Sequence, residues 1–200
     1  MASSHDVRTY HNAAALLPDG RVLVSGHAPI SFLYTRNITL PGGVTAPNNG
    51  RDASFEIYNP PYMYWGPQPR ITSAPPTGSS LNYGQTFTVT TDQPASAINS
   101  VVLVSNPSVT HLVDPNQRNV VLPVLSRNGN VLTVKSPPSA NVAPPGPYML
   151  FVNKQMPKGL EPSASKQLFL GLSGLEARSR SVRAHLRHAV RRHARRHRKR

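Results

Sequence analysis

Residues 8–26, RTYHNAAALLPDGRVLVSG, read as a β-hairpin with two metal-capable side chains at its entrance. An apolar run ends at Leu17, Pro18-Asp19-Gly20 supplies a turn with one fixed φ and one permissive glycine, and Val22 and Val24 alternate with polar neighbours on the return. Tyr10 and His11 stand just before the first strand. Adjacent strand residues point to opposite faces, so the two serve one site only at a strand end or where the backbone twists. An imidazole suits copper or zinc, and a phenolate is an anionic oxygen ligand or base. A plain surface or packing pair is the competing reading.

Around the hairpin the composition is that of a β protein. Two hundred residues that are 38% hydrophobic suffice for a core, and 21 prolines and 13 glycines favour turns and short extended segments over long helices. The formal charge of +14 is unevenly placed: residues 176–200 hold 11 of the 22 Lys and Arg and one of the eight acids, which leaves +4 for residues 1–175. The basic character therefore belongs to a tail. Cysteine is absent, which excludes disulfides, thiolate ligands and a cysteine nucleophile. There is no apolar run of about 18 residues to cross a membrane, and MASSHDVRTYH lacks the apolar centre of a signal peptide.

Farther along, residues 27–51 are turn-rich, with Pro41-Gly42-Gly43, Pro47-Asn48-Asn49-Gly50 and the glycosylation-type triplet Asn37-Ile38-Thr39. ASFEIY (53–58) alternates as a strand and is stopped by Asn59-Pro60-Pro61, after which Tyr62, Tyr64 and Trp65 are expected to pack on a neighbouring surface. Residues 67–80, with four prolines, read as a linker or an entering edge. Strands are then expected at 85–91, 100–105, 120–125, 130–135, 147–153 and 166–171, the middle pair forming a hairpin through Arg127-Asn128-Gly129. That spacing suggests an immunoglobulin-like sandwich. Residues 1–66 hold about three strands, the content of one β-propeller blade. The expected fold class is all-β: residues 1–66 as a final kelch-type blade of an incomplete propeller, 67–172 as an immunoglobulin-like sandwich, and 173–200 as a basic tail, helical or disordered.

RTYHNAAALLPDGRVLVSG, SFEIYNPPYMY, QPRITSAPP, LNYGQTFTV, NPSVTHLVDPNQRNVVLPV and APPGPYMLFVNK occur in an order and spacing that resembles the C-terminal part of galactose oxidase and glyoxal oxidase, over roughly residues 8–171. The similarity is to the bacterial members of this copper radical oxidase family, in which the last propeller blade is followed by an immunoglobulin-like domain. The family's copper is held by two tyrosines and two histidines. The resemblance implies that His11 and His111, the latter in the block THLVDPNQR, are equatorial imidazole ligands. It implies that Tyr10 is the axial phenolate and the base that takes the substrate hydroxyl proton. Two imidazoles and an oxygen donor suit Cu(II).

The family's remaining tyrosine is cross-linked to a cysteine and carries the radical that serves as the second one-electron centre. With no cysteine, this chain does not build that cofactor alone. Copper by itself cycles one electron, whereas oxidising an alcohol to an aldehyde removes two. The isolated chain is expected to be silent as an oxidase and at most a weak three-ligand copper binder. His5 with Asp6 is expected in solvent, and His27 in a loop. Gln117 and Arg118 are expected to hold the His111 loop by hydrogen bonds. Asp92 and Glu56 are too isolated for a catalytic carboxylate pair.

Two classes of function stay open. The first is the C-terminal fragment of a secreted copper radical oxidase, which in complete form oxidises an aldehyde or primary alcohol with O2 and releases H2O2. The second is a non-catalytic immunoglobulin-like binding module whose basic tail contacts polyanions without sequence specificity. Val182, Leu186, Ala189 and Val190 recur at helical spacing in that tail.

Overall fold

A computed structural model of the chain describes residues 8, 12–26, 38–39, 42–43, 45–46, 54–111 and 113–172. The regular structure among the described residues is β-strand, apart from two short 3-10 turns at Pro61–Tyr64 and Ala95–Ala97. Strands β1 (Ala13–Leu16) and β2 (Val22–Ser25) form the expected hairpin, in register from Ala13 opposite Ser25 to Leu16 opposite Val22. Gly20, at φ 88°, donates its N–H to the Leu17 carbonyl, and the Leu17 N–H reaches the Arg21 carbonyl, which closes the turn. The Asp19 carboxylate accepts the Arg21 N–H and pairs with its guanidinium at 2.7 Å. Two short strands, β3 (Ile38–Thr39) and β4 (Thr45–Ala46), pair with each other, and β5 (Phe55–Tyr58) adds antiparallel to β2. The β1-β2-β5 sheet has no fully buried side chain.

The rest is a sandwich of two sheets. Its strands are β6 (Ile71–Ser73), β7 (Ser80–Leu81), β8 (Thr86–Thr91), β9 (Ile98–Ser105), β10 (Asn119–Leu122), β11 (Val124–Asn128), β12 (Val131–Lys135), β13 (Gly146–Met156), β14 (Gly159–Pro162) and β15 (Lys166–Leu170). One sheet runs β10-β9-β13-β15-β7, with β14 also on β13, and the facing sheet runs β11-β12-β8-β6. Alternate residues from both inner faces make the core: Val101, Leu103, Leu150, Val152 and Leu168 from the first, Val89, Leu132 and Val134 from the second, none more than marginally exposed.

One expectation needs correction. The stretch 120–125 is not one strand: the chain leaves the first sheet after Leu122 and joins the second at Val124, with Pro123 at the step. Proline has no N–H for a ladder, so it suits the point where pairing partners change. Its carbonyl still accepts the Lys135 N–H. Residues 67–80, read as a linker or an entering edge, take the second form: β6 is the edge of the second sheet, and β7 runs parallel to β15. Tail residues 173–200 lie outside the described residues.

The two β units meet along the outer face of the first sheet. Leu16 packs against Val102, Met149 and Phe151, the apolar residues that face away from the sandwich core. The carbonyls of the turn after β1 are all taken: Ser165 N–H donates to Pro18 at 2.7 Å, the Tyr62 hydroxyl to Gly20 and the Gln68 amide to Asp19 at 3.4 Å, the same amide also reaching the Pro162 carbonyl of β14 at 3.0 Å. Burial, reinforced by Asp19 and Tyr58, pushes the Tyr62 phenol up, so it remains a donor. Trp65 lies over Gly159, as expected of the aromatic cluster, whereas Tyr64 is exposed.

Candidate metal-site loop

Strand β9 ends at the buried Ser105, and the chain makes an excursion over residues 106–118 before returning as β10. The base of that excursion is closed by side chains. Ser105 Oγ donates to the Asn116 carbonyl at 2.5 Å and accepts the Arg118 N–H at 3.0 Å. Asn106 and Gln167 exchange amide hydrogen bonds at 3.2–3.3 Å, and Gln167 also donates to the Tyr148 carbonyl. These contacts fix both limbs to the rim of the first sheet.

At the tip, Thr110 and Val113 exchange both main-chain hydrogen bonds at 2.8 Å, leaving His111 at the corner of a two-residue turn. His111 has φ 49°, and among the described residues it is the one non-glycine residue with positive φ. That conformation costs a side-chain-bearing residue about 1 kcal/mol or more, a cost typically found where function fixes the residue. The imidazole is exposed, and its Nδ1 lies 2.8 Å from Thr110 Oγ1. In the tautomer whose Nδ1–H donates to Oγ1, Nε2 carries the lone pair a metal takes.

Tyr10 and His11 lie outside the described residues, as do His5, Asp6 and His27. The residues flanking the pair are described. The Arg8 guanidinium, almost wholly buried, meets Glu56 at 3.2 Å and donates to Ser54, while Asn12 Nδ2 reaches the Arg8 carbonyl at 3.2 Å. Arg8 is thus pinned to the start of β5. No group of three His, Asp or Glu side chains suited to a metal occurs among the described residues.

Arg118 does hold its surroundings, donating to the Val142 carbonyl at 2.6 Å, whereas Gln117 contributes its main-chain N–H to the Asp114 carbonyl. The isolated carboxylates both have structural partners. Glu56 takes Arg8, and Asp92 accepts the Arg70 N–H at 2.8 Å and its Nε at 3.0 Å. The bond from the Arg70 amide, aided by its guanidinium, holds the Asp92 carboxyl below the usual carboxylate range against an opposing effect of burial.

Residues 68–166 match the galactose oxidase-like, early set domain. The sandwich belongs to that family. The chain is 30% identical over 151 residues to a galactose oxidase of Gibberella zeae, covering 73% of this chain and 19% of that one. It is also 31% identical over 163 residues to an aldehyde oxidase of Arabidopsis thaliana, covering 76% and 25%. A solved fungal alcohol oxidase of the AA5 family, in complex with copper, shares the fold with a TM-score of 0.63 at 23% identity, over 84% of this chain and 32% of that chain. The chain spans 14–28% of the length of the curated relatives it matches. The early set domain thus accounts for the sandwich, and the 106–118 excursion is one of its loops.

Proposed function

We propose that this chain is the C-terminal portion of a copper radical oxidase, and that Tyr10, His11 and His111 are its contribution to the metal site. The single observation that carries the reading is His111 itself: an imidazole held at positive φ on the tip of a loop whose base is bound at every turn. Its Nδ1 contact with Thr110 and its exposure suit a metal ligand, and two imidazoles with a phenolate suit Cu(II). Copper, when bound, supplies one-electron redox chemistry and Lewis acidity. In this reading His11 and His111 orient the site, and the Tyr10 phenolate accepts the hydroxyl proton of an aldehyde hydrate or primary alcohol. The complete protein would use O2 as acceptor and yield H2O2, outside the cell. Residues 1–66 would be its last kelch-type blade, 67–172 its early set domain and 173–200 an appended tail.

Absence of cysteine from all 200 residues means that the family's sulfur-linked tyrosine has no sulfur here, so the chain by itself is expected to show no oxidase turnover. The test is Cu(II) titration followed by spin resonance, with His11→Ala and His111→Ala beside the wild type. One tetragonal site lost in both variants supports the reading. Copper bound equally by all three proteins, through the four tail histidines, overturns the ligand assignment.

The tail supports a second reading, in which the sandwich is a non-catalytic module held on a polyanion by residues 176–200, with their net charge of +10. Retention on heparin that falls steeply with salt and disappears when the tail is removed is the outcome it requires.

A further inference from the structure

We infer that Asp114 is the positioning residue for His111, an inference that rests on the copper-ligand reading only for its functional meaning. The two limbs of the 106–118 excursion meet at three levels. The lowest is the Ser105, Asn106 and Asn116 cluster, in which Asn116 Nδ2 reaches the Asn106 carbonyl at 3.4 Å. The highest is the Thr110–Val113 pair that bends the chain at His111. Between them stands one carboxylate: Asp114 Oδ1 accepts the Ser108 N–H from the ascending limb and the Asn116 N–H from the descending limb, each at 3.1 Å.

The Asp114 carboxylate is thus the side chain that joins the limbs directly beneath the turn. Its reach is set by its own backbone, because Pro115 follows and biases residue 114 toward extended conformations. The Gln117 N–H closes on the Asp114 carbonyl, so the same residue anchors the descending limb through main chain and side chain together. Hydrogen bonds from N–H groups to an ionised acceptor are stronger than neutral ones. Here they offset the unfavourable φ of His111, which the Thr110–Val113 pair alone must otherwise hold. Asp114 touches no reacting group in this scheme. It acts by keeping the imidazole at one place and one orientation.

The experiment uses the full 200-residue chain, labelled with 15N, as wild type, Asp114→Ala, Asp114→Glu and Asp114→Asn. Alanine removes the acceptor, glutamate keeps the charge but shifts it by a methylene, and asparagine keeps an oxygen of the same reach. Amide exchange at Thr110 and Val113 is expected to accelerate about tenfold or more in the alanine and glutamate variants, with His111 losing the coupling constant of positive φ. Val101 and Leu150 amides in the sandwich stay as protected as before. The asparagine variant retains the turn.

A turn that survives in Asp114→Ala, or that is lost equally in Asp114→Asn, overturns the inference. Glutamate provides the same test should the alanine variant not fold. Added Cu(II) then separates the two readings: broadening of His111 resonances in wild type and Asp114→Asn, needing more copper in Asp114→Ala, supports both. An opened turn in Asp114→Ala with no copper effect on wild-type His111 leaves the positioning role standing and removes the copper role.

Discussion

His111 concentrates a conflict between backbone and side chain. Its φ of 49° suits glycine, yet the position carries an imidazole. In His111→Gly, relief of the left-handed conformation is offset by the greater freedom of glycine in the unfolded chain, so unfolding stability in urea is expected to stay within about 1 kcal/mol of wild type. His111→Val, β-branched at positive φ, is expected to lose the Thr110–Val113 pair while the sandwich persists. Glu161 is the opposite case. It is fully buried on β14, and neither carboxylate oxygen has a hydrogen-bond partner among the described residues. Burial pushes its pKa up, opposed by Lys154 on the paired strand. With the folded value above the unfolded one, its contribution to stability is complete below the unfolded pKa and is lost as pH rises through the folded value. Glu161→Leu is accordingly expected to stabilise the protein at pH 8 by about 1–3 kcal/mol and to flatten stability against pH in thermal melts run from pH 4 to 8.

Among the elements, the connector at residues 59–70 decides how blade and sandwich join. Gly159, at φ 142°, would place a Cβ 3.1 Å from the Trp65 ring, so Gly159→Ala must displace the indole or shift β14. Trp65 is the single tryptophan, and its fluorescence is expected to move to the red in this variant as the ring becomes wetter. Much at this scale was legible beforehand. Alternation located β5 and β8, and the hairpin at Arg127-Asn128-Gly129 and the spacing of the series located β12 and β15, each to within about two residues, and Pro18-Asp19-Gly20 announced its own turn. What escaped was set by pairing rather than by local pattern. β6 and β7 are two or three residues long in a proline-rich stretch, too short for alternation to register, and exist because β8 and β15 offer open edges. The division at Pro123 follows from which sheet each half joins, a non-local choice. The histidine of the loop was recognisable from THLVDPNQR. The parts played by Asp114 and Ser105 were not, since they depend on which main-chain N–H groups the loop brings within reach of each oxygen.

For the molecule as a whole, the sandwich is the self-sufficient part and the blade is dependent on it. The sandwich carries the large core. The β1-β2-β5 sheet buries no side chain fully, and its contact with the sandwich runs through Leu16 and the turn at 18–20. Leu16→Asp is expected to release the blade without unfolding the sandwich: amides of Leu23 and Ile57 exchange faster and limited proteolysis cuts within 12–58, whereas Leu103 and Leu150 keep their protection. Uniform loss of protection in both units would show instead that they fold as one.

The hydrogen bond from Ser165 to Pro18 joins residues 147 positions apart. A ribosome that adds roughly 5–20 residues per second exposes the hairpin about 7–30 s before its anchor exists. The Met149 and Phe151 side chains that cover Leu16 arrive nearly as late. During synthesis the hairpin is therefore made well before the contacts that hold it, and its apolar surface waits uncovered. The protein's yield in a cell should depend on what shields residues 13–25 during that interval as much as on the stability of the finished fold.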